Sequence, residues 1–199
     1  MPQDYEYDVF VSYRREAPVM DWVRNHFHPL LDQWLRNSMP VNHQTRIFID
    51  WDIETGASWP MKLRQALKTS RCLLPVWSPE YFRSEWCLAE WQTMVKREQK
   101  VGLGTAQNSG GLIYAVRFFD GEHFPPKAQT TQHKDLSRWN IPDLTFKQHL
   151  DYIDLTRQIQ GVVTELAKMI QRAPVWQDWP VVLPKSGNKK PRVEMPRLK

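Results

Sequence analysis

The chain has 199 residues, of which 41% are hydrophobic and 12% aromatic, enough for one domain with a core and too apolar for wholesale disorder. Its 27 basic and 22 acidic residues leave a formal net charge of +5. Six of the cations and one acid fall between Pro184 and Lys199, so residues 1–183 hold 21 of each sign and carry no electrostatic footprint for nucleic acid.

No run of eighteen apolar residues occurs, and Met1-Pro2-Gln3-Asp4 lacks the layout of a signal peptide, so a soluble cytoplasmic protein with no membrane partner is expected. Cys72 and Cys87 sit in apolar stretches, as reduced core cysteines do. The six histidines have no zinc spacing, and no metal site is expected.

In chain order, Tyr7 to Tyr13 reads as a first buried strand. Val19, Val23, Phe27, Leu30, Leu31 and Trp34 recur at helical spacing and predict a helix over 18–37. Arg46 to Ile49 reads as a second strand running into a polar turn over 50–56, followed by a helix over 59–68. Cys72 to Trp77 is a third strand despite Pro75, which cannot donate to a ladder. Ser78 is placed to cap a helix that has Pro79 at its first position and reaches about Gln99, and Ser84 is placed to cap a restart of it. Leu112 to Phe118 reads as a fourth strand. The segment 119–148, with three prolines, is long for a loop and is expected to carry short helical turns. Leu150 to Leu155 reads as a fifth strand and 156–172 as the closing helix.

This alternation is that of a flavodoxin-like α/β three-layer sandwich, a five-stranded parallel sheet of order 2-1-3-4-5 with helices on both faces. It is expected over residues 1–173, with 174–199 a Pro-rich basic tail, largely disordered. Such sheets bind ligands outside the carboxyl ends of the strands, where the order reverses. Three places qualify: just after Tyr13, Ile49 and Trp77.

After the first strand stand Arg14 and Arg15, whose planar forks match a diphosphate, or which pair on the surface with nearby acids. Two arginines there argue against a phosphoacceptor receiver, which needs acids at this strand end. After the second strand, Asp50 is placed to cap a backbone or meet a ligand hydroxyl, while Asp52 and Glu54 read as a solvated turn. After the third, Phe82, Trp86 and Glu90 are four apart and form a row with an ionisable group at its end. A carboxyl beside an aromatic shelf is a candidate catalytic group, because desolvation raises its pKa; the alternative is a pairing with Lys or Arg at the core edge.

Three blocks resemble the Toll/interleukin-1 receptor (TIR) domain family over roughly residues 5–172. They are the Tyr7–Tyr13 strand, Arg46-Ile47-Phe48-Ile49-Asp50 with Gly56, and above all Ser78-Pro79-Glu80-Tyr81-Phe82-Arg83-Ser84-Glu85-Trp86-Cys87-Leu88-Ala89-Glu90, whose end is similar to the Trp-Cys-x-x-Glu block of plant and bacterial members. The likeness is greatest to stand-alone bacterial TIR NADases of antiphage defence (Thoeris-like). Enzymatic members cleave NAD+ at the nicotinamide–ribose bond, so the resemblance implies Glu90 as the catalytic carboxylate and NAD+ as a substrate, with no cofactor. It further implies Trp86 stacking on a ring of the dinucleotide, Arg14 and Arg15 at its diphosphate, and Tyr13, Asp50 and Ser84 around the pocket. Glu16 takes the place of an acid many enzymatic relatives carry there. The loop Trp51, Asp52, Ile53, Glu54, Thr55 and Gly56 is implied to pack against neighbouring subunits, an assembly loop. No sensor domain accompanies the body, so regulation is expected from self-association or a separate activating protein, with a nucleotide product passed to a separate effector. The alternatives are a non-enzymatic TIR–TIR interaction module and a deoxyribosyltransferase of the same topology.

Overall fold

Nearly unbroken burial makes β1 (Tyr7–Tyr13) the axis of the sheet in the computed structural model, which describes residues 4–50, 59–104, 110–119, 121–122, 124–131 and 133–184. β1 pairs in parallel with β2 (Ile47–Phe48) on one side and β3 (Ser70–Trp77) on the other. β4 (Ala115–Arg117) and β5 (His133–Asp135) complete an all-parallel sheet in the expected order, β2-β1-β3-β4-β5.

Successive side chains on a strand point to opposite faces, and the core divides accordingly. Val9, Val11 and Tyr13, with Cys72, Leu74 and Val76, pack under the helices of one face; Phe10, with Leu73 and Trp77, packs under those of the other. The first face is covered by α1 (Val19–Trp22), α2 (His28–Ser38) and α7 (Asp151–Gln171). The second is covered by α3 (Trp59–Lys68), α4 (Pro79–Arg83) and α5 (Glu85–Val101).

The single helix predicted over 18–37 carries a π-helical stretch, Val23–Phe27, between α1 and α2. Pro29 supplies the reason. It has no N–H, its ring would meet the carbonyl four residues back, and the wider turn makes room. The His28 N–H accordingly bonds to the Val23 carbonyl, five residues back. Pro75 is accommodated differently. Leu73 exchanges both its backbone bonds with the β4 side, from its N–H to Leu112 and from Tyr114 to its carbonyl. By alternation Pro75 faces that same side, so its missing donor interrupts the ladder to β4 and leaves the longer ladder to β1 intact.

The fifth strand is not where it was expected. Leu150 to Leu155 is helical: α7 begins at Asp151, with Asp151 and Asp154 in its first turn, where acids favour the helix dipole. Of the apolar residues that suggested a strand, Leu150 is 81% and Ile153 52% exposed, while Leu155 is buried on the inner face of the helix. β5 is instead His133–Asp135, a polar edge strand inside the segment read as a loop. The short helical turns expected there are α6 (Pro126–Thr130) and 3₁₀ turns at Ser137–Trp139 and Leu144–Gln148.

Residues 174–184, assigned by composition to the tail, lie against the body, with Trp179 buried. Residues 185–199 lie outside the described residues. Among the described residues no helix is long and apolar enough to cross a membrane.

Candidate active site

Both serines behind β3 do the capping their positions suggested. Ser78 accepts from the Tyr81 N–H at 3.2 Å and opens α4. Ser84, extended at φ −84° and ψ 115°, breaks the helix and accepts from the Cys87 N–H at 3.3 Å to open α5. That break corrects the expected row of Phe82, Trp86 and Glu90. Phe82 belongs to α4 and turns into an aromatic cluster with Trp77, Trp91 and Phe124; only Trp86 and Glu90 share a face, on α5.

The cap aims the first turns of α5 at the carboxyl end of β1. There the Glu90 carboxyl, 8% exposed, meets Ser12, whose hydroxyl donates to Oε2 at 2.5 Å. The Ser12 oxygen lies 3.0 Å from the Tyr81 hydroxyl, which donates to the Cys87 carbonyl at 3.1 Å. Among the described residues no cation pairs with Glu90. Burial therefore dominates: it pushes the Glu90 pKa up to about 8, with the Ser12 bond pulling down and the negative charge of Asp50 pushing further up.

A proton on Glu90 can reverse its bond with Ser12. The protonated carboxyl then donates to Ser12, Ser12 to Tyr81 and Tyr81 to the Cys87 carbonyl, each hydroxyl giving once and accepting once. In the ionised state Ser12 gives its proton to Glu90. The arrangement thus holds a carboxyl whose pKa burial raises to about 8 and whose protonation turns the Ser12 hydroxyl around.

The other residues singled out lie close by but are engaged. Arg15 Nε is 3.4 Å from Asp50 Oδ2, and Arg14 pairs with Glu16. Asp50 is buried at the end of β2 and pushes the Tyr13 phenol upward in pKa, after burial itself. Tyr13 has the opposite parity to Ser12, so its ring belongs to the face away from Glu90. Trp86 is half-buried and shares with Glu90 the wall of a small cavity between α3 and α5. The loop from Trp51 to Gly56 lies outside the described residues.

Sequence reasoning missed Ser12 and Tyr81. The available signal was the small hydroxyl of Ser12 following the apolar run Val9 to Val11 in a strand buried from Asp8 to Tyr13, a position where a polar group needs a partner. Among the described residues no group of three or more His, Cys, Asp or Glu is placed to hold a metal ion.

The family model described as TIR domain matches residues 9–170. Among solved structures, the TIR domains of the activated Roq1 resistosome directly recognizing the pathogen effector XopQ are similar at 22% identity, over 82% of this chain and 85% of that one, with a TM-score of 0.41. No curated protein matches the chain.

Proposed function

This chain belongs to the TIR domain family, and on that premise we propose that it is an NAD+ nucleosidase with Glu90 as its catalytic carboxylate. The observation that carries the reading is a buried carboxyl at the carboxyl edge of a parallel sheet, held by a neutral hydroxyl and without a cationic partner among the described residues. Such a group is costly for stability and is the kind kept for chemistry.

In the proposed reaction the bond from the ribose C1′ to the nicotinamide nitrogen breaks, and nicotinamide leaves with the electron pair. The ribose becomes oxocarbenium-like, and ionised Glu90 stabilises that charge and accepts from a ribose hydroxyl. Water then adds at C1′ and loses a proton, giving ADP-ribose, or a nitrogen of the adenine adds to give a cyclised product. Trp86 offers a ring for stacking. Arg14 and Arg15 serve the diphosphate, which takes the place of Glu16 and Asp50 as their anionic partner. The product acts as a signal nucleotide in antiphage defence, and self-association through the 51–56 loop switches the enzyme on.

Mass spectrometry of the products from NAD+, with the protein crowded or forced into assemblies, tests the reading. Nicotinamide together with an ADP-ribose-derived product is expected. No release in assemblies that still associate identifies an interaction module instead, and cleavage of 2′-deoxynucleosides in parallel reactions identifies a deoxyribosyltransferase.

A further inference from the structure

After α7 the chain turns back across the sheet's amino-terminal edge and enters the groove between α3 and α5. The Pro174 carbonyl accepts from the Tyr5 hydroxyl at 3.0 Å, and Asp178 pairs with Lys68 of α3. Trp179 is 1% exposed; its indole N–H donates to the Tyr5 hydroxyl at 3.2 Å, and its ring lies 5.0 Å from the Arg97 guanidinium and 5.5 Å from the Lys100 ammonium. Three residues on, the Val182 N–H donates to the Thr93 hydroxyl at 2.9 Å. The α5 partners thus step from Lys100 and Arg97 to Thr93, toward Glu90. The segment runs antiparallel to α5 and ends beside the candidate site.

There Val181 and Val182 join Leu63, Leu67, Trp86 and Glu90 around a cavity of about 10 Å³. That is room for roughly one water, where pockets for drug-sized ligands take about 300 Å³ or more. What holds the segment is concentrated in one indole. Val175 is 89% and Leu183 52% exposed, and among the described residues no backbone-to-backbone hydrogen bond ties 174–184 to α3 or α5. Such a segment opens locally, without unfolding the domain.

We propose that residues 174–184 are a self-docked strap that closes the groove beside Glu90, and that withdrawal of Val181 and Val182 admits the substrate. The substrate's identity as a dinucleotide rests on the function proposed above; the closure does not.

The test uses the full chain with Ala89→Cys, a substitution on the cavity wall, and follows its labelling by an uncharged maleimide, with the unsubstituted chain as the control for the buried Cys72 and Cys87. Trp179→Ala removes the anchor. Thr93→Val removes the hydroxyl that accepts from the Val182 N–H, and with it that hydroxyl's bond to the Ala89 carbonyl within α5, and covers the case in which the tryptophan variant fails to fold. Labelling at least tenfold faster in the folded strap variants, together with faster nicotinamide release, is the expected result. Faster labelling without any nicotinamide release, even from protein forced into assemblies, upholds the strap and sinks the NAD+ reading. Unchanged labelling in both variants overturns the strap whatever the activity. Faster labelling with loss of a measurable wild-type activity also overturns it, since the segment would then complete the site.

Discussion

The Ser12 hydroxyl donates to the Glu90 carboxylate at 2.5 Å across 78 residues of chain, joining the carboxyl end of β1 to the second turn of α5. Among the described residues a neutral donor is the whole of this carboxylate's direct support, so burial dominates its charge state, and that has measurable consequences.

Glu90→Gln keeps the shape and removes the charge that would stabilise an oxocarbenium ion. Turnover of NAD+ in assembled protein is expected to fall by about 10²-fold or more, with the fold retained by circular dichroism. Nicotinamide release at the wild-type rate from folded, assembled Glu90→Gln would remove Glu90 from the chemistry.

The same carboxyl links stability to pH. Its folded pKa, about 8, lies above the ordinary 4.5, so the folded state holds this proton more tightly than the unfolded chain. The contribution is fully present below pH 4.5 and is lost as pH rises through 8. Thermal denaturation is therefore expected to show Glu90→Gln gaining on the wild type between pH 5 and pH 9. An equal gap at both pH values would mean that Glu90 is ionised throughout.

Ser12 and Asp50 pull that pKa in opposite directions, Ser12 down and Asp50 up. Ser12→Ala should move the titration of Glu90 to higher pH and Asp50→Asn to lower pH, read as the carboxyl ¹³C shift or as the rising limb of kcat/KM against pH. Shifts of the same sign in both variants would contradict the geometry.

Arg97 is 1% exposed, donates to the carbonyls of Ser70, Leu67 and Lys68, and has its pKa lowered to about 10 by burial. Arg97→Ala strips those carbonyls and the floor beneath Trp179. A loss of about 3 kcal/mol or more in urea unfolding is expected. A loss below about 1 kcal/mol would show that water replaces the guanidinium at no cost.

The reassigned start of α7 can be checked by paired substitutions. Ile153→Lys, on the exposed side, should change stability by less than about 0.5 kcal/mol, whereas Leu155→Lys places a charge in a fully buried position and should unfold the domain. Were 150–155 a buried strand, both would be severe.

The sequence by itself determined the elements that bury one face or stripe. Strands β1 to β4, the caps at Ser78 and Ser84 and the 2-1-3-4-5 order are legible because hydrophobic period and cap chemistry are local, and the catalytic candidate Glu90 stood out by its motif. The tertiary structure alone decided the rest. A three-residue polar edge strand such as β5 has no periodicity to read and exists because β4 offers it a ladder. Ser12, which holds Glu90, comes from β1 and Tyr81 behind it from α4, a juxtaposition made by the parallel crossover, and parity on β1 sends Ser12 to Glu90 and the ring of Tyr13 away from it. The stretch from Pro174 to Pro184 has the composition of a tail, yet one indole, an arginine without an acid partner among the described residues and a groove between two helices hold it against the body. Composition counts what a segment carries; only packing shows where it can be buried.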